Sequence, residues 1–383
     1  MLRRLITNQI ASSKKSILLL GPRQTGKSTL LKSLSPDLTI NLANENQFLR
    51  HSADAGLLES IIAGNSNTKT VLIDEIQRVP FLLNTIQALI DDASPENKIQ
   101  FLLSGSSARK LRRGNANLLP GRLFTYNLGG LCARELDYKV NLNQALRYGA
   151  LPEPYLEKEA LSSEKLLDSY ASTYLKEEIQ AEALSRNIPG FARFLDTIAA
   201  QSGDILDFSK ISTKSKVSRS SCVRFIEILE DTLIAQRVNV FEDVTGVDLI
   251  KHPKLYFFDI GVINSLQGSF DISPSRRGML FEHFIYSQIV NSAFAHDEAI
   301  KLNYFRTRSG VEVDFILTKK KKVWAIEVKS GEISSGDLAH LKRFREYYPE
   351  THQCIAVGMK EQRRRIDDIL VCDWKEFLVE IGF

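Results

Sequence analysis

One stretch limits what this chain can fold into more than any other. An apolar run, Ser16-Ile17-Leu18-Leu19-Leu20, breaks at Gly21 and leads through Pro22, Arg23, Gln24 and Thr25 to Gly26-Lys27-Ser28-Thr29. This is G-x-x-x-x-G-K-S in the context that a phosphate-binding loop requires, with a strand before it and an amphipathic helix (Leu30, Leu31, Leu34) after it. The glycines let the backbone curl so that its N–H groups face phosphate oxygens, and the helix presents its positive end to them. Lys27 is expected to reach the terminal phosphates and the Ser28 hydroxyl to sit on Mg²⁺. Residues 21–29 therefore form the expected binding loop for ATP with Mg²⁺.

Further strands carry the partners that such a loop needs. Leu38-Thr39-Ile40-Asn41-Leu42 reads as a short strand. Thr70-Val71-Leu72-Ile73-Asp74-Glu75 reads as a buried parallel strand that delivers two carboxylates to its C-terminal edge. Asp74 is expected to hold Mg²⁺ through water, and Glu75 to polarise the water that attacks the γ-phosphate. Ile99 to Ser107 is another buried strand ending in hydroxyls, where Ser104 or Ser106 could sense the γ-phosphate or cap a polar turn. Arg109, Arg112, Arg113 and Arg122 follow; Arg122 is the chosen candidate for an arginine finger acting on a neighbouring subunit in a homo-oligomer. Leu123 to Leu128 reads as the last strand. Strands alternating with helices imply an α/β domain with a doubly wound parallel sheet.

Composition sets the outer bounds. The 383 residues suffice for two or three domains, and 43% apolar with 25% charged residues is ordinary for a globular chain. A net charge of +4 does not by itself argue for nucleic acid, although it permits locally basic faces. Cys132, Cys222, Cys354 and Cys372 form no close pairs, which speaks against a zinc knuckle or a disulfide framework and for cytosolic thiols. No apolar run approaches the roughly 18 residues of a membrane span. The basic start, Met1 to Lys15, places Leu2, Leu5, Ile6 and Ile10 on one helix face, and a cytoplasmic location is expected.

The middle of the chain reads as helical. Gly149-Ala150-Leu151-Pro152-Glu153-Pro154-Tyr155 interrupts it, two prolines implying a rigid turn or hinge, and a helix containing Tyr170, Tyr174 and Ile179 follows. From Phe191 to Val240 the pattern is helix, short capped helix, longer helix (Val217 to Ala235), then an apolar strand, with Asp207 and Ser218 as candidate N-caps. This is a helix-turn-helix layout with a candidate wing. Lys214, Lys216, Arg219 and Arg224 sit near the start of the third helix, where DNA contacts would lie; packing or protein contact is the competing use.

Beyond Lys251 a new unit is expected. Leu255 to Asp259 is strand-like, and Gly278 to Ile289 reads as a helix carrying Glu282. Two strands then form a hairpin across the lysine-rich turn at residues 319–322. One strand bears Asp314; the other bears Glu327 and Lys329, which share a face because alternate strand residues point the same way. Two carboxylates and a lysine so placed can hold Mg²⁺ against a phosphodiester while the lysine assists the attacking water, with Glu282 as a further ligand. The order helix Glu, strand Asp, then Glu-x-Lys resembles the PD-(D/E)XK nuclease core.

The expected divisions are 1–135, an ATP-binding domain, 136–250, a helical and winged-helix region, and 251–383, an α/β restriction-endonuclease-like domain. Across nearly the whole chain, several stretches taken in order resemble a family of prokaryotic AAA-type ATPases whose C-terminal portion is a domain of unknown function. They are Gly21 to Ser28, Leu72 to Gln77, Leu103 to Ser107, Pro120-Gly121-Arg122, Gly149 to Pro152, Leu255 to Gly261, Phe281-Glu282, Glu312 to Phe315 and Ile326 to Lys329. The resemblance implies an ATPase with a nuclease-like C-terminal fold and supplies no pathway. Ser104 departs from the expected threonine but keeps the hydroxyl. Two functions compete: an ATP-dependent motor or switch acting on DNA, with a metal-dependent nuclease site, and a nucleotide-dependent switch that binds a protein partner through an inactive nuclease-like scaffold.

Overall fold

A computed structural model describes residues 2–65, 67–94, 98–106, 119–175 and 188–383. They gather into two compact units: residues 1–129 with 231–234 and 294–297, and residues 130–230 with 235–293 and 298–383.

The first unit is built on a parallel sheet. Its strands β1 (Ser16–Leu20), β2 (Leu38–Asn41), β3 (Thr70–Asp74), β4 (Gln100–Gly105) and β5 (Leu123–Asn127) lie in the order β2-β3-β4-β1-β5. The continuous apolar runs follow from burial of both faces. Ile17, Leu19, Leu72 and Leu102 pack on one side with Leu30, Leu31, Ile6 and Ile10. Leu18, Leu20, Ile73 and Leu103 pack on the other with Ile40, Leu58, Leu83 and Ile86. The N-terminal helix is shorter than the expected apolar face: it spans Thr7–Ser12 and sets Ile10 into the core, while Leu2, Leu5 and Ile6 precede it.

The second unit carries an eight-stranded mixed sheet among the described residues. Its strands are β6 (Ala235–Val240), β7 (Lys254–Phe257), β8 (Ile300–Arg306), β9 (Glu312–Lys319), β10 (Lys322–Lys329), β11 (Gln353–Gly358), β12 (Arg364–Ile366) and β13 (Ile369–Asp373), in the order β12-β13-β11-β10-β9-β8-β6-β7. β9 and β10 form the expected antiparallel hairpin, with Lys320 and Lys321 in left-handed conformations at its tip. β10 then pairs in parallel with β11, the crossover being the helix Ala339–Tyr347.

Three features differ from the sequence reading. Residues 152–156 form a short helix rather than a turn, with Pro152 at its first position. A proline costs nothing there, because first-turn N–H groups have no intrahelical acceptor. The helix bearing Glu282 likewise begins earlier, at Pro274, and runs to Ala295. The apolar strand expected as a wing is β6; it pairs antiparallel with β7 and, through Asn239 and Val240, in parallel with β8. The boundary expected at residue 250 therefore falls between two paired strands.

Three helices, Ile188–Ala199, Phe208–Ser215 and Arg219–Asp231, occupy the stretch read as a helix-turn-helix layout. Asp207 caps the second, accepting from the N–H groups of Ser209 (3.0 Å) and Lys210 (3.1 Å), and Ser218 accepts from the N–H of Ser221 (3.3 Å) at the start of the third. The four cysteines are buried and free. Among the described residues no helix is long and apolar enough to cross a membrane. Ser107, Arg109, Arg112, Arg113 and Ile179 lie outside the described residues.

Candidate functional site

The C-terminal edges of β1, β3 and β4 bring the nucleotide residues together. Gly21 is required by close approach: a Cβ there would meet the Leu128 carbonyl oxygen at 2.1 Å. Gly26 immediately precedes the helix Lys27–Lys32. Lys27 is buried, and its ammonium donates to the carbonyls of Gly21 (2.8 Å) and Pro22 (2.7 Å), so it already points into the curl of the loop. The Thr25 hydroxyl ties the loop to itself through the Pro22 carbonyl (2.9 Å). Pro22 is buried, Arg23 and Gln24 are half-buried, and Thr29 is exposed.

Facing the loop, Asp74 accepts hydrogen bonds on the same oxygen, Oδ1, from the hydroxyls of Ser28 (2.8 Å) and Ser104. The Ser104 hydroxyl in turn accepts from the N–H of Glu75 (3.1 Å). Glu75 stands in a left-handed conformation (φ 60°) directly after the strand, a strained turn of the kind that functional sites hold. Its carboxylate accepts from the amide of Gln77, which also donates to Ser106 Oγ (2.9 Å). The structure thus brings Ser28, Asp74, Glu75 and Ser104 into one hydrogen-bonded set. Arg122 is engaged elsewhere, gripping Asp91 with two bonds of 2.6 and 2.8 Å.

Two members of this site escaped the sequence reading. Arg4 is buried and donates to the carbonyls of Thr25 (2.7 Å) and Gly129 (3.0 Å), bracing the loop from behind. Gln77 orients Glu75. Nothing local marks Arg4, whose neighbours Leu2, Leu5 and Ile6 read only as an apolar face. Gln77 lies two residues past Glu75, on the single helical turn Ile76–Arg78 that follows the strand, and its partner Ser106 lies on a distant segment that only folding brings near.

The site residues fit a nucleoside triphosphate with Mg²⁺: a buried ammonium aimed at the loop, and a hydroxyl and a carboxylate already paired where a hard cation takes oxygen ligands. When bound, the ion would neutralise charge on the phosphate oxygens, with Ser28 and Asp74 holding it. Lys27 would exchange its two carbonyl partners for phosphate oxygens, and Glu75 would hold the attacking water.

The second unit holds the other predicted set. Asp314, on β9, accepts from the N–H of Val328 (2.7 Å), and Glu327 is paired with Lys329 at 2.7 Å, both on β10. Glu282 accepts from the Tyr256 hydroxyl (2.5 Å) and lies 3.5 Å from Lys254. Burial, with Glu282 and Glu327 nearby, holds the Asp314 carboxyl well above its ordinary pKa. Burial likewise raises Glu327 against the opposing pull of Lys329. Burial alone would lower Lys254, but Glu282, Asp314 and Glu312 outweigh it and keep the ammonium charged. Among the described residues no three His, Cys, Asp or Glu side chains stand ready to hold a metal ion, so the carboxylates do not fit one as placed. A cavity of about 870 Å³ is lined by Ser330, next in the chain to Lys329, and by Arg277, Lys360 and Arg364, with Glu332 and Glu361 among them.

The fold and loop geometry of the first unit define a phosphate-loop nucleotide-binding domain. Residues 13–137 match the family model described as an AAA domain, which makes this part of the chain an AAA-type α/β domain. Residues 139–273 and 277–377 match two models, each described as a domain of unknown function (DUF8612 and DUF4143). No curated protein matches the chain in sequence. Among solved structures, the Pif1 helicase of Candida albicans is 17% identical over 43% of this chain and 46% of its own, with a TM-score of 0.23. The match thus spans less than half of that helicase. RuvB of Thermotoga maritima is 13% identical over 61% of this chain and 86% of its own, with a TM-score of 0.29. DnaA of Aquifex aeolicus, bound to AMPPCP, is 14% identical over 59% and 86%, with a TM-score of 0.27. Likeness this slight decides neither activity nor partner.

Proposed function

We propose that the chain binds ATP with Mg²⁺, hydrolyses it, and acts on DNA. The observation that carries the reading is the set at the loop mouth, in which one oxygen of Asp74 joins Ser28 to Ser104 while Glu75 projects from the adjoining turn. Binding alone has no use for a water-orienting carboxylate, so Glu75 argues for turnover. DNA is favoured by the helix-turn-helix. Lys214, Lys216, Arg219 and Arg224 are all exposed, and they cluster about the turn that presents the helix Arg219–Asp231. Arg122 serves as a finger in trans only if a neighbouring subunit's nucleotide wins it from Asp91.

A second reading, a nucleotide-dependent switch that binds a protein partner through an inactive nuclease-like domain, draws on one observation. Glu282 and Glu327 each face one of the chain's own lysines, Lys254 at 3.5 Å and Lys329 at 2.7 Å. One experiment separates the readings: ATP hydrolysis with Mg²⁺ measured alone and with single-stranded, duplex and branched DNA, with cleavage followed in parallel. DNA-stimulated turnover, lost in Lys27→Ala, supports the first. A rate indifferent to every DNA, with one stoichiometric protein partner captured, supports the second.

A further inference from the structure

The strand β7 bears two polar side chains at alternate positions, Lys254 and Tyr256, in an otherwise apolar run. Alternation sends both to one face. There they meet the nuclease-like carboxylates. Lys254 is only 5% exposed, and its ammonium lies 3.2 Å from Glu312 Oε1 and 3.5 Å from Glu282 Oε1. Tyr256 is fully buried and donates to the same Glu282 oxygen at 2.5 Å. The other Glu312 oxygen faces Arg306 at 3.2 Å. Asp314 accepts from the Val328 N–H, and Glu327 from Lys329.

Three carboxylates (Glu282, Glu312, Glu327) therefore face three cations (Lys254, Arg306, Lys329), while Asp314, whose carboxyl burial holds well above its ordinary pKa, accepts from the Val328 N–H. Burying a charge is costly unless it is compensated, and a cluster that relies on a bound ion leaves that compensation to the ion. Here Lys254, Lys329 and Arg306 supply it for Glu282, Glu312 and one oxygen of Glu327, whose other oxygen, Oε2, is buried without a hydrogen-bond partner. A divalent ion entering beside Glu282 would meet the Lys254 ammonium, 3.5 Å from Oε1, and would have to displace the Tyr256 hydroxyl from that same oxygen. We infer that Lys254 is the resident cation of this site, occupying the charge-compensating role that a divalent metal has in nuclease-type carboxylate sets, so that Glu282 and Asp314 bind no metal while Lys254 is present. The inference does not depend on the ATPase reading and can fail without it.

Mn²⁺ binding to the full chain tests it, in the absence of nucleotide, by titration of free Mn²⁺ and by the unfolding midpoint. Three proteins are compared: wild type, Asp314→Asn and Lys254→Met. Wild type and Asp314→Asn are expected to bind the same number of Mn²⁺ ions. Lys254→Met, with its carboxylates uncompensated, is expected to gain a site at least tenfold tighter than any in wild type and to be stabilised by Mn²⁺; adding Asp314→Asn to it should remove that gain. The inference is overturned if wild type binds one Mn²⁺ that Asp314→Asn loses, or if folded Lys254→Met ignores Mn²⁺. Should Lys254→Met fail to fold at any Mn²⁺ concentration, the comparison of wild type with Asp314→Asn decides alone.

Discussion

In the proposed ATPase, Lys27 and Glu75 would serve the same phosphate chemistry by different means, and their substitutions should separate. The Lys27 ammonium, held by the Gly21 and Pro22 carbonyls, is the charge that a triphosphate would claim. Lys27→Ala is expected to abolish both nucleotide binding and turnover. Glu75→Gln keeps the shape and the Ser104 contact to its backbone but cannot take up a proton, so binding should persist while kcat falls by about 10²–10⁴-fold. Equal loss of binding in both variants would refute the assignment. Arg4 offers a subtler case, because it touches the loop only from behind. Arg4→Ala should raise the KM for ATP about tenfold, the scale of one charge-assisted hydrogen bond, with Arg4→Lys partly restoring it. The motif residues could be read from sequence because loop, hydroxyl and strand-end carboxylate sit at fixed spacings. Arg4 and Lys254 could not, since each is defined by partners far along the chain that only folding supplies.

Among the elements, the buried strands β1, β3 and β4 were foreseeable because a parallel strand covered on both faces writes itself as an unbroken apolar run. The helix at Pro152 was not, since the prolines that end helices also begin them. What fixes its position is Asp259: the carboxylate accepts from the Ala150 N–H (2.6 Å) and caps the helix Ile260–Leu266 through Val262 (3.2 Å). Gly149 makes that clasp possible, for it has φ +73° and a Cβ on it would meet Asp259 Oδ1 at 2.1 Å. Gly149→Ala is thus expected to cost at least about 2 kcal/mol in denaturant unfolding, more than most surface changes. A loss under half that would mean that the clasp yields. The motif from Gly149 to Pro152, conspicuous in the sequence, thereby finds a packing role rather than a chemical one.

The molecule divides into two compact units, and if each unfolds by itself two levers should act on them separately. On the proposed reading ATP with Mg²⁺ would bind the first unit, so at about a hundredfold excess over Kd it should add about 2.7 kcal/mol there and raise one transition while leaving the other in place. Acid should act on the second unit through His283. Its imidazole is fully buried between the Phe257 carbonyl (2.7 Å) and Ser202 (3.4 Å), and burial lowers its pKa from 6.5 to about 4. Below pH 6.5 the unfolded chain takes up a proton that the folded unit refuses, so stability is lost as pH falls from 6.5 through about 4. The loss approaches about 3 kcal/mol. Asp314 works with the opposite sign, since its carboxyl is held above the ordinary value by burial and by Glu282 and Glu327, and it favours the folded unit as pH falls. His283→Gln isolates the two: it should flatten the acid loss of the second transition and leave the ATP response of the first untouched. Retention of the full acid slope in that variant would place the titrating group elsewhere, and a single transition moved by both levers would show that the two units unfold as one.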